Sequence, residues 1–193
     1  MNYLGHFYLS PDNDEILIGS FLGDFVKGPV ELQNLPTQIK QGIILHRSVD
    51  SFTDYHPLIL DCKKLFSKTY RRYAGIILDM ALDHFLALYW QEYHHQTLND
   101  FSQHVYKVLS KYQQQLPGGS KQIAYSMCEY DWLGSYANLE NIDLAFSNIA
   151  KRFRHKNPLL DAGSEFIRLY DSIELMFRKF IIEVSEHTNN NIR

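Results

Sequence analysis

The stretch AGIILDMALDHFLALYW, residues 74–90, carries apolar side chains in nearly every direction around a helix. A helix of that kind cannot rest on a surface, so the chain must pack other elements around it. Carboxylates are out of place there. Yet Asp79 and Asp83 stand four residues apart, one above the other on a helix, and His84 follows the second. Acids on such a helix are paired, bonded to backbone or bound to a metal, because an unpartnered buried charge is strongly destabilising. Either aspartate alone reads more readily as an internal cap, or as the partner of Arg71 or Arg72 one to two turns earlier. Together with His84 and a second polar set in the chain, they read as part of a site.

The remaining patterns are helical too. Apolar spacing predicts helices over 14–26, 36–52, 57–67, 73–93, 98–115, 121–136, 141–153 and 162–187. Pro36 and Pro57 suit first turns, while Gly28-Pro29 and the LPGGS segment at 116–120 are breaks. No period-two alternation or Asn-Gly hairpin signal is present. The expected fold is all-α, a single-domain helical bundle over 1–193, with a frayed polar tail from about residue 188. At 193 residues the chain can bury a substantial core as one domain.

Charge and composition exclude several classes of function. The formal net charge of −3 gives no basis for nucleic-acid binding. No apolar run approaches the roughly 18 residues needed to span a membrane, and MNYLGHFYLS lacks the basic start of a signal peptide. Cys62 and Cys128 are too few for a disulfide framework, which suits the cytoplasm.

The second polar set lies in ILHRSVDSFTDYHP, residues 44–57. His46, Asp50 and Asp54 recur at every fourth position and share one helix face. Asp24 follows the small Gly23 in GSFLGDFVKG, where a helix-terminal cap is the competing reading. His6, in NYLGHFYL, reads more readily as a hydrogen-bonded core residue than as a ligand. His46, Asp50, Asp24, Asp83 and His84 form a mixed imidazole and carboxylate set on several helices. Such donors suit Mn²⁺, Fe²⁺, Zn²⁺ or Mg²⁺, and helical bundles build metal sites from facing helices.

The segments NYLGHFYLS, GSFLGDFVKG, GIILHRSVDSFTDYHP and RRYAGIILDMALDHFLALYW resemble the acyl carrier protein phosphodiesterases, also called acyl carrier protein hydrolyases. The later WLGSY (132–136) and IAKRF (149–153) are similar as well, so the resemblance covers nearly the whole chain. It departs in having Ser20 where asparagine is expected, Gly5 where alanine is common, and Asp83-His84 in place of a His-Asp pair. It implies a divergent, HD-phosphohydrolase-like, all-α fold that prefers manganese. The implied reaction removes the 4′-phosphopantetheine arm from holo acyl carrier protein and returns the apo form.

By position, the resemblance implies Asp24, His46, Asp50 and Asp83 as metal ligands, with His6 and Asp79 behind them. His84 then serves as ligand or as the acid that protonates the departing serine oxygen. Arg47 is placed for phosphate oxygens, and Asp54 is a further catalytic candidate. An acidic carrier protein requires a basic docking surface, expected at Lys63, Lys64, Lys68, Arg71 and Arg72. Two other functions compete: a metal-dependent phosphohydrolase of a small nucleotide or phosphate ester, and a non-catalytic helical binding module.

Overall fold

A computed structural model describes residues 1–29 and 34–191. Its helices run α1 (Tyr3–Tyr8), α2 (Asp14–Leu22), α3 (Thr37–Tyr55), α4 (Pro57–Leu65), α5 (Ala74–Leu88) and α6 (Trp90–Tyr93). They continue as α7 (Leu98–Tyr112), α8 (Gly118–Glu129), α9 (Trp132–Ser135), α10 (Leu139–Ala150) and α11 (Ala162–Asn191). No strand occurs among the described residues, so the chain is all-α. No helix there is long and apolar enough to cross a membrane.

Helix α5 takes the central position that its composition demands. Ala74, Ile77, Leu78, Ala81, Leu82, Phe85 and Leu86 are essentially inaccessible along one side of the helix, and Met80, Asp83 and Ala87 are buried on the other. Helix α11 packs along it, with Phe166 and Phe177 against Phe85, and α1 packs on it as well.

Local chemistry sets the helix ends that matter for the site. The Asn13 side chain accepts the N–H groups of Glu15 and Ile16 and starts α2. Pro57 opens α4, as its fixed φ suits a first turn. Helices α2 and α3 cross closely because Gly19 and Gly42 face one another. A methyl group on Gly19 would strike the Ile39 carbonyl, and one on Gly42 would strike the Ile16 carbonyl.

Several boundaries differ from the sequence expectation. Helix α1 was not expected. It is only six residues long and depends on a cap from α5, a contact that no local pattern announces. The 73–93 segment divides at Tyr89, and the 121–136 segment divides at Asp131, whose φ of 43° is left-handed. Tyr106 donates its hydroxyl hydrogen to the Asp131 carboxylate and fixes that turn. The frayed tail is corrected as far as residue 191: α11 continues through it, Thr188 is buried, and the His187 ring stacks on Phe52. Residues 192–193 of that tail lie outside the described residues.

Candidate metal centre

Helices α1 and α3 and the turn after α2 bring two imidazoles and two carboxylates together. His46 and Asp50 are one turn apart on α3, so helical periodicity alone aligns them. The His46 ring lies directly over Gly23, where any side chain would collide with it, and this brings Asp24 alongside. His6 arrives from α1, its ring stacked on His46 with centroids 3.7 Å apart. The Ser20 hydroxyl donates to the His6 carbonyl and ties α1 to α2.

Asp50 joins the two rings. One of its oxygens lies 3.1 Å from His6 Nε2 and the other 3.1 Å from His46 Nε2. Asp24 Oδ1 lies 3.5 Å from the same His46 nitrogen. Both rings are buried, while the two carboxylates stay about half exposed. Burial opposes charge on His46, but its bonds to Asp24 and Asp50 outweigh that and raise its pKa to about 9. His6 is pushed the other way, to about 4, by burial and by the neighbouring His46 charge. Burial works against ionised Asp50, yet the two imidazoles hold its carboxyl well below the usual range.

The donor set fits a divalent cation. His6, His46 and Asp50 offer ligand atoms that all lie within 4.8 Å of one another. At metal–donor distances of about 2.0–2.2 Å, adjacent donors in a coordination shell stand roughly 3.0–3.5 Å apart, matching the separations to Asp50 and Asp24. Both His6 and His46 have a buried Nδ1 without a hydrogen-bond partner. Without a cation the Nε2–H groups meet the carboxylates; with the proton on Nδ1 instead, each Nε2 lone pair would be available to a cation.

A cavity of about 250 Å³ opens beside this cluster. Asp24, Asp50, Asp54 and Asp79 line it together with Ile76 and Ile149. The Met1 ammonium also faces it, 2.9 Å from Asp79 and 4.0 Å from Asp50. Asp54 stands exposed at the rim and binds Lys63 Nζ at 3.2 Å.

The other sequence candidates are placed elsewhere. Asp83 is fully buried and accepts N–H groups from Asn2, Leu4 and Gly5, at 3.3, 2.8 and 3.1 Å. It is the internal cap of α1 rather than a member of the cluster. Burial raises its pKa to about 7, against the opposing pull of the Met1 ammonium and those N–H groups. His84 is also occupied: Nδ1 meets the Tyr136 carbonyl at 2.8 Å and Nε2 meets the Tyr170 hydroxyl at 2.9 Å. Arg47 donates to the Val26 carbonyl at 2.6 Å and does not line the cavity.

The expected basic group is only partly free. Lys63 pairs with Asp54 and Lys64 with Asp61. Lys68, Arg71 and Arg72 are exposed with no ion pair among the described residues, so neither arginine serves Asp79 or Asp83. Sequence reasoning underrated His6, since a lone histidine among apolar residues carries no spacing signal.

Comparison with known proteins gives a consistent result. The sequence profile of a family described as acyl carrier protein phosphodiesterase matches residues 1–184. The chain is 35% identical to the acyl carrier protein phosphodiesterase of Yersinia pestis, covering 93% of each chain. It is 30% identical to the protein of that name in Photorhabdus laumondii, over 98% of this chain and 96% of the other. The Serratia proteamaculans protein of the same name is also 30% identical, over 98% of both chains. No solved structure matches.

Proposed function

The chain belongs to the acyl carrier protein phosphodiesterase family, and from that premise we propose that it hydrolyses the phosphodiester of holo acyl carrier protein. The products are 4′-phosphopantetheine and apo carrier protein with a free serine. The observation that carries this reading is the pair of stacked imidazoles sharing Asp50 at the edge of an open, carboxylate-lined cavity.

His6, His46, Asp50 and Asp24 would hold the cation; the mixed imidazole and carboxylate set suits Mn²⁺, Fe²⁺, Zn²⁺ or Mg²⁺, and family membership is what favours Mn²⁺. The chemistry such a cation would supply is neutralisation of phosphate oxygens and a lowered pKa for bound water, giving hydroxide as nucleophile near neutral pH. The protein's own groups do the positioning. Gly23 lets His46 sit close to Asp24, Asp50 orients both rings, and Asp83 holds α1 so that His6 faces them. Asp54 and Asp79 line the space beside the cluster, where an acid–base group would meet substrate. His84, with both ring nitrogens engaged, is assigned to positioning through Tyr136 and Tyr170.

An acidic carrier protein is the proposed partner, and neither nucleic acid nor membrane is part of the reading. The free thiols of Cys62 and Cys128 fit a reducing cytoplasm. The test is incubation of purified holo carrier protein with the protein and Mn²⁺, read by intact mass. Loss of the phosphopantetheine mass is expected. An unchanged carrier mass across Mn²⁺, Mg²⁺, Fe²⁺ and Zn²⁺ would refute the reading.

A further inference from the structure

A second basic segment, KRFRHK at 151–156, follows α10 and has no part in the cluster. Lys151, Arg152, Arg154 and Lys156 are all exposed, with no ion pair among the described residues. The turn that carries them is braced. Asn157 Nδ2 donates to the Ala150 carbonyl at 3.0 Å and to the His155 carbonyl at 3.2 Å, closing it. The Phe153 ring meets Tyr73 edge-on with centroids 5.9 Å apart, and the Tyr73 hydroxyl reaches His155 Nε2 at 3.4 Å.

Tyr73 ends the 3-10 turn Arg71–Tyr73. Two basic segments far apart in sequence are therefore joined through one aromatic contact. The joined surface adjoins the cavity, because Ile149, just before the basic run, lines one wall and Ile76, just after Tyr73, lines another.

We propose that the 151–156 turn and the neighbouring Lys68, Arg71 and Arg72 form one docking surface for the acidic face of a carrier protein. This rests on the hydrolase reading. The scissile bond of holo carrier protein starts at a serine oxygen on the protein's own surface. That surface must come to the cavity mouth, so the docking face must adjoin the mouth. The mouth itself carries Asp24, Asp50, Asp54 and Asp79, which repel an acidic partner. Cations beside it supply the attraction that the carboxylates deny. A braced turn also loses less conformational freedom on binding than a loose one.

The test is K151E/R154E/K156E, which leaves Arg152 and the cluster unchanged. The expected result is a fall of about tenfold or more in kcat/KM for holo carrier protein at low salt, with unchanged Mn²⁺ affinity and melting temperature. The milder K151Q/R154Q/K156Q should fall by less. The wild-type rate should drop steeply with added salt, and that of the reversed variant less so. If wild type turns over carrier protein and the reversed variant matches it, the docking proposal fails and the hydrolase reading stands. Mn²⁺ affinity falling in parallel would make the turn a support of the site and would also overturn it. If wild type is inactive, binding of labelled apo carrier protein decides: binding abolished by the reversal upholds the docking face, and no binding to wild type refutes both.

Discussion

The cluster of His6, His46 and Asp50 and the buried pair Asp83-His84 use the same residue types, and their surroundings make them opposites. Asp83 has three backbone N–H donors on its oxygens, and both nitrogens of His84 have partners. In the cluster the carboxylates, among the described residues, meet imidazoles and the Met1 ammonium and stay half exposed at the cavity. Buried polar groups are normally satisfied. Full satisfaction fits a structural role for Asp83 and His84, whereas half-exposed carboxylates at a cavity keep lone pairs for a ligand, the role proposed for the cluster.

The largest expected effect breaks the cluster. Asp50→Ala removes the carboxylate that touches both imidazoles, and Mn²⁺ affinity should fall by at least about a hundredfold. Turnover should be lost while helical circular dichroism persists. Titration with Mn²⁺ checks this, and wild-type affinity in the variant would show that the cluster is not the metal site.

A smaller effect, on stability, is expected on the other side of the comparison. Asp83→Asn turns an amide N–H toward backbone donors and leaves at least one of them unsatisfied, a cost of about 1–3 kcal/mol. For a domain of this size that lowers the melting temperature by roughly 2–10 °C. Mn²⁺ affinity should decline only as far as α1 loosens around His6. A loss of affinity equal to that of Asp50→Ala, at an unchanged melting temperature, would make Asp83 a ligand.

The smallest effect is the pH dependence of the metal-free protein. His46 titrates at about 9 in the fold, above its ordinary 6.5. The stability this contributes is full below pH 6.5 and is lost as pH rises through 9. Between pH 4 and 6.5, His6 and Asp83 act in opposite senses. The lowered His6 value makes stability rise with pH, and the raised Asp83 value makes it fall. Melting in chelator should therefore change little between pH 4 and 6.5 and decline from there to pH 9, modestly, since solvent screens the half-exposed carboxylates. With Mn²⁺ bound in place of the His46 proton, the decline should vanish. A decline unaltered by Mn²⁺ would separate His46 from metal binding.

Helical class and the central place of α5 were readable because amphipathic spacing, or its absence in residues 74–90, depends only on neighbours along the chain. The same holds for His46 and Asp50, four residues apart on one helix. Helix α1 was not readable, because six residues have little helical stability of their own and the Asp83 cap comes from more than seventy residues away. His6 was undervalued for the same reason: its partner, Asp50, lies on a different helix.

The sequence by itself determined that this chain is helical, that one helix is central, and that the His46–Asp50 turn presents two donors on one face. These follow from a fixed rise and rotation per residue. Tertiary structure alone decided which aspartates join that turn. Gly19, Gly42 and Gly23 set how closely α2 approaches α3, which brings Asp24 in, while free N–H groups at the start of α1 claim Asp83 first. A buried carboxylate goes to the donors that reach it, and which donors reach it depends on how the helices pack.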